Sequence, residues 1–396
     1  MVHGFMKMKT DSKKLQFGAA KCKKLHVGKL CEDFKCQTLK VDDWKEIEIK
    51  NEETGIDEIE DVVEGEEEME VKLEEKYLGD VISTDGRNIK NIKARVAKGK
   101  GIISRIITIL EGIPFGKFYY EVAVILRDSL LVSSMLCNSE AWYNITNAEL
   151  ELLETIDLQF LRRILKAPKT TPKEILFLEL GCVPFRELIQ KRRILFLHYI
   201  LNESPESMLN KFLKTQLKTQ KPKDWVTQVL KDLKELKIEM NLEELKNMKK
   251  SGLKRLLKKV VADKVFRKLT DKKESHSKVM DLKHDKFKMQ NYLKANKFKI
   301  SQSEAEEIFR LRSRMTDVKL NFRAMHETLE CDICNEEDES QKHLIECSEI
   351  LKKKENNVKP PEYEKIFGEN VREQLEVAKA CIENLKIRKK MLEVKK

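Results

Sequence analysis

The chain has 396 residues, a length that predicts about two or three domains, and 37% of the residues are charged, with a net charge of +11. Its 14 glycines and 8 prolines are few, which favours long helices over a turn-rich sandwich or barrel and excludes a collagen-like chain. A hydrophobic content of 41% can bury a core, and because Arg105 and Arg127 interrupt the longest apolar stretches, no membrane-spanning helix is expected.

Strand-like segments come first along the chain. Lys14–Lys29 has a glycine turn followed by alternating residues, and Lys76–Ser83 is a further strand candidate that precedes the turn-forming Thr84–Gly86. Between them, Glu46–Glu75 holds 15 acidic residues against 2 lysines, which is typical of a solvated loop. Residues 10–86 therefore predict a small β-sheet with an acidic insert.

From residue 87 onward the sequence predicts helices. The apolar residues of Ile89–Leu110 recur on one helical face, with Lys90, Lys98 and Arg105 on the opposite face, and Pro114 follows as a stop. Apolar periodicity predicts further helices over Phe118–Trp142, Thr146–Lys166, Thr171–Gly181 and Pro184–Leu201. Capping boxes are predicted at Thr146–Glu149 and Thr171–Glu174, with Gly181 as a C-cap of the second of these helices. A third box, Ser303–Glu306, predicts one more helix after it. Trp142 and Trp225 are expected to anchor the core rather than to stack on bases.

Positive charge is concentrated in Lys211–Ile300, which has 27 Lys or Arg residues against 11 Asp or Glu residues. Leu, Lys and Glu dominate its helical patterns, so the segment is either an extended helical domain or a flexible arm. A positive excess of this size attracts polyanions such as nucleic acids. The alternative is that lysine-rich helices simply have solvated outer faces.

One group of residues has the spacing of a metal site. Cys331, Cys334, His343 and Cys347 follow the pattern C-x2-C-x8-H-x3-C. Zinc prefers four thiolate or imidazole ligands in a tetrahedron, and a gap of two residues lets one knuckle place two thiolates on the same ion. His343 and Cys347 are four residues apart, which would put them on one face of a helical turn. We therefore predict a structural zinc ion, beside an acidic loop, Glu336–Glu339, that would repel phosphates.

No segment has the signature of a catalytic site. The Ser and Cys residues lack nucleophile motifs, and neither a phosphate-binding loop nor a dinucleotide fingerprint is present. The nine cysteines are spread along the chain, and the first residues lack the apolar stretch of a secretory signal. Both features favour a reduced, intracellular protein.

Three segments occur in a fixed order along the chain: KLQFGAAKCKKLHVGK, then KYLGDVISTDGRNIKNIKARVAKG, and, after the helices, CDICNEEDESQKHLIEC. In this order they resemble the C-terminal half of a non-LTR (LINE-like) retrotransposon reverse transcriptase. The resemblance implies that Lys21 is a basic residue at the end of the palm, near leaving pyrophosphate, and that Tyr77, Leu78 and Gly79 form the core of a primer-grip hairpin.

The resemblance also implies an organisation for the whole chain: a mainly α fold with a small N-terminal β-sheet remnant (α+β). Residues 1–86 would be a palm remnant, 87–201 a helical thumb that closes on a primer–template duplex, 202–325 a basic helical region, and 326–396 the CCHC zinc knuckle with a C-terminal helix over Pro360–Glu393. On the thumb, Lys90, Lys98 and Arg105 would contact phosphates.

The chain departs from this family where catalysis is concerned. Nucleotide transfer needs two metal ions held by carboxylates, and in this family the aspartates lie upstream of the segment matched at Lys14. Only 13 residues precede Lys14, with Asp11 as their one acid, and the pair Asp42–Asp43 lies in the wrong order along the chain. We expect a truncated fragment that binds RNA and DNA without copying them, and Mg²⁺ only if the palm is restored.

Two alternatives remain open. In one, the sequence is an incomplete version of an active RNA-directed DNA polymerase. In the other, the helices and the zinc knuckle form a scaffold for protein interactions. The reverse-transcriptase resemblance places the protein in the nucleus or in a cytoplasmic ribonucleoprotein, with no membrane partner, and leaves the oligomeric state open.

Overall fold

The computed structural model describes residues 74–77, 79–83, 87–114, 118–273, 281–282, 286–294, 299–354 and 359–395. The chain divides into two compact units, Met1–Asn91 and Ile92–Lys396. The predictions for Lys21, for Leu78, for the Asp42–Asp43 pair and for the turn at Thr84–Gly86 lie outside the described residues.

The described part of the chain is mainly helical, with one small hairpin, as predicted. Its strands are β1 (Glu74–Tyr77) and β2 (Asp80–Ser83). Its α-helices are α1 (Ile89–Glu111), α2 (Tyr119–Leu126), α3 (Asn147–Leu165), α4 (Lys173–Leu180), α5 (Phe185–Asn202), α6 (Met208–Thr219), α7 (Trp225–Glu235), α8 (Leu242–Asn247), α9 (Lys250–Lys273), α10 (Gln302–Arg312), α11 (Gln341–Glu346), α12 (Ser348–Lys352) and α13 (Val371–Lys395). Short 3₁₀ turns lie at Asn291–Leu293, Lys319–Met325 and Tyr363–Phe367. No described helix combines the length and the apolar character needed to cross a membrane.

The hairpin belongs to the first unit. β1 and β2 pair antiparallel, with Tyr77 opposite Asp80. Gly79 has a φ of +91°, a backbone conformation that favours glycine and permits the tight turn. The single strand that we predicted over Lys76–Ser83 is therefore wrong, because the chain reverses at Gly79. Within this first unit, the Asn91 amide donates to an Asp80 carboxylate oxygen at 2.7 Å.

The first long helix follows the predicted pattern. Ile92 and Ile106 are fully buried, whereas Lys98 and Arg105 on the opposite face are exposed. Gly99 has a packing role in the middle of this helix. A Cβ at this position would lie 2.8 Å from a methyl carbon of Ile156, so only glycine lets the two helices approach this closely.

The apolar helix that we predicted over Phe118–Trp142 is shorter and interrupted. α2 passes into a π-helical segment, Arg127–Val132, and a last turn that ends at Met135. Arg127 is 1% exposed, and its guanidinium donates to both carboxylate oxygens of Asp157, at 2.6 and 2.5 Å. A buried cation requires such a paired acid, so the charge that we expected to cut the apolar stretch is instead part of the core.

The helix caps agree with the sequence in part. The capping box at Thr146 and the left-handed C-cap at Gly181 are confirmed. The box at Thr171 is wrong, because Pro172 is the N-cap and the helix start has no side-chain cap. α10 is capped by Ser301 rather than by Ser303. Two overlapping S-x-x-E patterns occur there, and the Glu of the second, Glu306, instead forms an ion pair with Lys166 at 3.0 Å.

The basic region is folded into helices, and not into a flexible arm, over the residues from Met208 to Lys273 that the structure describes. α6–α9 pack with α5 around their own hydrophobic cluster, which includes Leu197, Val229 and Leu253. Trp225 belongs to this cluster and Trp142 to the main one, each 5% exposed, so both tryptophans are core residues as predicted.

The C-terminal helix is shorter than predicted. It begins at Val371 and not at Pro360, because a 3₁₀ turn at Tyr363–Phe367 and Gly368 come between. The main-chain carbonyl of Gly368 accepts a hydrogen bond from the Gln374 amide at 2.7 Å. The helix packs against α10 and joins the main core through Val377, which is fully buried.

Candidate metal centre

Four potential metal ligands converge near the C-terminal end of the chain. The sulfur atoms of Cys331, Cys334 and Cys347 and a ring nitrogen of His343 all lie within 4.8 Å of one another. The Cys334 sulfur is 3.3 Å from Nε2 of His343. In a zinc tetrahedron with bonds of about 2.3 Å to sulfur and about 2.0 Å to nitrogen, the ligand atoms are about 3.5–3.8 Å apart. The prediction that these four side chains meet is confirmed, and the cluster could hold a metal ion.

The first two ligands lie on a short knuckle. Glu330 and Asp338 form an isolated antiparallel bridge at its base. The Cys331 N–H donates to the Glu337 carbonyl at 2.8 Å, and the Asn335 N–H donates to the Cys331 carbonyl at 2.9 Å. Asn335, with a φ of 55°, makes the left-handed turn that a short polar side chain tolerates. This closed loop brings Cys331 and Cys334 to the same side.

The other two ligands come from α11 and its end. The Ser340 hydroxyl caps this helix by accepting from the His343 N–H at 2.9 Å. We had predicted that Cys347 continues the helical turn of His343. Instead, α11 ends at Glu346 and the backbone leaves the helical conformation at Cys347 before α12 begins. The Asn384 amide of α13 donates to the Leu344 carbonyl at 2.8 Å, which satisfies a main-chain oxygen at the helix end.

A carboxylate sets the orientation of the histidine ring. The Glu337 carboxylate lies 3.0 Å from Nδ1 of His343. With Glu337 ionised and therefore only an acceptor, this contact favours the neutral tautomer that carries its proton on Nδ1 and leaves the Nε2 lone pair for a metal ion. Such carboxylate–histidine pairs fix the tautomer of metal-binding histidines. Glu337 was not among the predicted site residues, although it lies within the predicted knuckle.

The three thiols have different environments. Burial raises the pKa of Cys331, and it raises the pKa of Cys347 to about 11. Burial acts to raise the pKa of Cys334, but the backbone N–H groups of Glu336 and Glu337, the Cys331 side chain and the charge of His343 together outweigh it, so that this pKa is lowered. A bound dication would favour the thiolate form of all three.

Salt bridges attach the knuckle to the surrounding structure. Glu339 is 1% exposed and forms an ion pair with Arg388 of α13 at 2.7 Å. Lys319 forms another with Asp332 at 2.5 Å. The acidic loop that we predicted over Glu336–Glu339 therefore has one buried, paired carboxylate at its end, and only its first three acids are exposed.

The other predicted site residues are distributed over the first helix and the hairpin. Lys90, Lys98 and Arg105 are exposed on α1. Tyr77 and Gly79 lie at the turn of the antiparallel hairpin. Their roles as phosphate contacts and primer grip stay predictions.

No family model, curated protein or solved structure matches this chain. The resemblance to a reverse transcriptase therefore rests on the segments quoted above.

Proposed function

We propose that this protein binds nucleic acid through its basic helices, with an RNA–DNA or other primer–template duplex as its preferred ligand. The observation that carries the proposal is the charge of the helical region: Lys211–Ile300 has 27 basic residues against 11 acidic ones. The apolar faces of α6–α9 are buried in a common cluster. The lysines of these four helices are thereby held on a folded surface, and a fixed array of cations suits a phosphate backbone.

We further propose that the metal ion is zinc and that its role is structural. Three thiolates and one imidazole are a ligand set that zinc prefers. All four positions of a tetrahedron are supplied by the protein, which leaves no open position for a substrate or an activated water. The ion would join the knuckle at Cys331 and Cys334 to the end of α11, which carries His343 and Cys347.

The reverse-transcriptase resemblance supplies a more specific form of the proposal. In that form, the helix carrying Lys90, Lys98 and Arg105 faces the duplex, and the hairpin at Gly79 contacts the primer end. The protein would bind the duplex without extending it. Extension of an annealed primer by deoxynucleotides and Mg²⁺ would contradict this and would favour an active polymerase.

Duplex binding at several salt concentrations tests the proposal. We expect the affinity for an RNA–DNA duplex to fall steeply with salt, because phosphate contacts release bound counterions. The K90Q/K98Q/R105Q variant should show a smaller slope of log affinity against log salt than the wild type. The K386Q/K389Q/K390Q variant, which removes the same charge from α13, is the control. Binding of a protein partner, with salt-insensitive or undetectable duplex binding, would support the scaffold alternative.

Zinc content tests the metal assignment. The wild-type protein should contain one equivalent of zinc after extensive dialysis. Cys334→Ser should lose most of it, because a hydroxyl is a poor substitute for a thiolate ligand. Cys137→Ser is the matched control, since Cys137 is an exposed thiol outside the cluster. A full equivalent of zinc in Cys334→Ser would refute the assignment.

A further inference from the structure

The contact between α5 and α9 contains acids and lysines that are matched at one end. Glu187 of α5 forms an ion pair with Lys268 at 2.6 Å, and its carboxylate lies 4.0 Å from the Lys264 ammonium group. The Lys264 ammonium also donates to the Gln190 amide oxygen at 2.8 Å and pairs with Glu235 at 3.1 Å. At this end of the contact, Lys264 and Lys268 both form ion pairs with acids.

One helical turn further along α5, the pattern changes. The position four residues after Glu187 is Lys191. α9 packs against α5, and it carries Lys254 and Lys258, whose charges act on Lys191. Lys191 is half-buried, and Lys254 and Lys258 are exposed, four residues apart on one face of α9. Within the described part of the chain, none of these three lysines forms an ion pair.

The charges of Lys254 and Lys258 act unfavourably on the Lys191 ammonium group. Burial, followed by the charges of Lys258 and Lys254, lowers the pKa of Lys191. Asp128 is the acid that acts on Lys191 in the opposite direction, but its carboxylate is already bonded to Arg127 at 2.7 Å. Like charges that are placed together without a shared acid are stabilised by a bound anion.

The neighbouring arginines are occupied in the fold. The Arg192 guanidinium donates to the Leu136 carbonyl. Arg95 donates to the Ser134 carbonyl at 2.7 Å, and its guanidinium lies 5.1 Å from the ring centre of Trp142. The three lysines differ from these arginines because their charges have no such structural role.

We propose that Lys191, Lys254 and Lys258, the lysine triad, bind phosphate groups of a nucleic-acid backbone. The identity of the ligand rests on the function proposed above. Lys254 and Lys258 are separated by about 6 Å along the helix axis, so their ammonium groups can reach separate phosphates. A membrane surface suits the triad less well, because the apolar side chains of Leu253 and Leu257 beside it are fully buried and cannot enter a bilayer.

The test compares two triple variants in binding to an RNA–DNA duplex across a salt series. In K191Q/K254Q/K258Q we expect the slope of log affinity against log salt to fall by about 2–3, since each phosphate contact contributes about 0.9. The control K386Q/K389Q/K390Q removes three exposed lysines from α13, outside the basic helices. Its slope should change by less than about 1.

A second measurement reports on the free protein. Lys191→Gln removes the most buried member of the triad, so its melting temperature in low salt should equal or exceed that of the wild type. A lower melting temperature would show that the three charges do not repel one another and would overturn the proposal.

The outcomes separate this inference from the proposed function. Equal loss of slope in both triple variants, with strong wild-type binding, would overturn the lysine triad and leave the proposed function intact. Absence of wild-type duplex binding would overturn both. Triad-dependent binding to phosphatidylserine vesicles, without duplex binding, would assign the surface to a membrane and also overturn the proposal.

Discussion

The Glu337 carboxylate offers a sharp test of how the metal centre is held. Glu337→Ala removes the group that fixes the His343 ring, but it keeps the backbone carbonyl that accepts from the Cys331 N–H. The substitution therefore isolates the effect of ring orientation from the closure of the knuckle. We predict weaker zinc binding, with all four ligands still present.

The magnitude follows from the geometry. Loss of a carboxylate behind a metal-binding histidine typically weakens metal binding by about 10–100-fold. The Nδ1 to carboxylate distance is a full hydrogen bond at 3.0 Å, but the Glu337 side chain is 72% exposed. Water can replace it in part, so we expect the lower end of the range, about tenfold, or about 1.4 kcal/mol.

Competition with a chromophoric chelator at fixed pH measures this change. Glu336→Ala is the matched control, because it removes a neighbouring exposed acid of the same knuckle. A loss of zinc affinity in Glu337→Ala but not in Glu336→Ala would support the role of the carboxylate. Equal losses would mean that only the net charge of the loop matters, and no loss would mean that His343 is oriented without Glu337.

Two further predictions concern the core. Asp157→Asn leaves the buried Arg127 without its charged partner and should lower the free energy of unfolding by about 3–5 kcal/mol. The control Asp128→Asn, at a side chain that is 61% exposed, should change the free energy of unfolding by less than about 1 kcal/mol. Gly99→Ala should destabilise by about 1–3 kcal/mol through overpacking, whereas Gly101→Ala, with open space at its Cβ position, should stabilise by up to about 1 kcal/mol. Urea denaturation measures all four, and similar effects within either pair would contradict the packing argument.

The features that sequence alone could predict are local ones. The four metal ligands are found by spacing because two short segments supply all of them. The buried stripe of α1 follows from helical periodicity, and the Thr146 box is recognised because its two partners are three residues apart. In each case the interacting residues are neighbours along the chain.

The features that sequence reasoning missed depend on partners that are distant along the chain. Arg127 was interpreted as a break in an apolar stretch, because Asp157 is supplied by another helix. Arg388 of α13 has no spacing that relates it to Glu339. Glu337 is different: it lies within the knuckle, and an acid between metal ligands is a signal that a search for histidine-orienting carboxylates could have used.

The positions of the metal centre and the lysine triad imply that they act independently. Cys331 and Cys347 belong to the main hydrophobic cluster, whereas Leu253 and Leu257, which flank the triad lysines on α9, belong to the second cluster. Removal of zinc should therefore loosen the knuckle and the contacts of α11 with α13 without displacing α9 from α5. We expect a chelator to lower the melting temperature and to leave the salt slope of duplex binding unchanged. A smaller slope of log affinity against log salt after removal of the metal would show that the knuckle itself contacts the duplex, despite its exposed acids. The metal centre and the lysine triad would then not act independently.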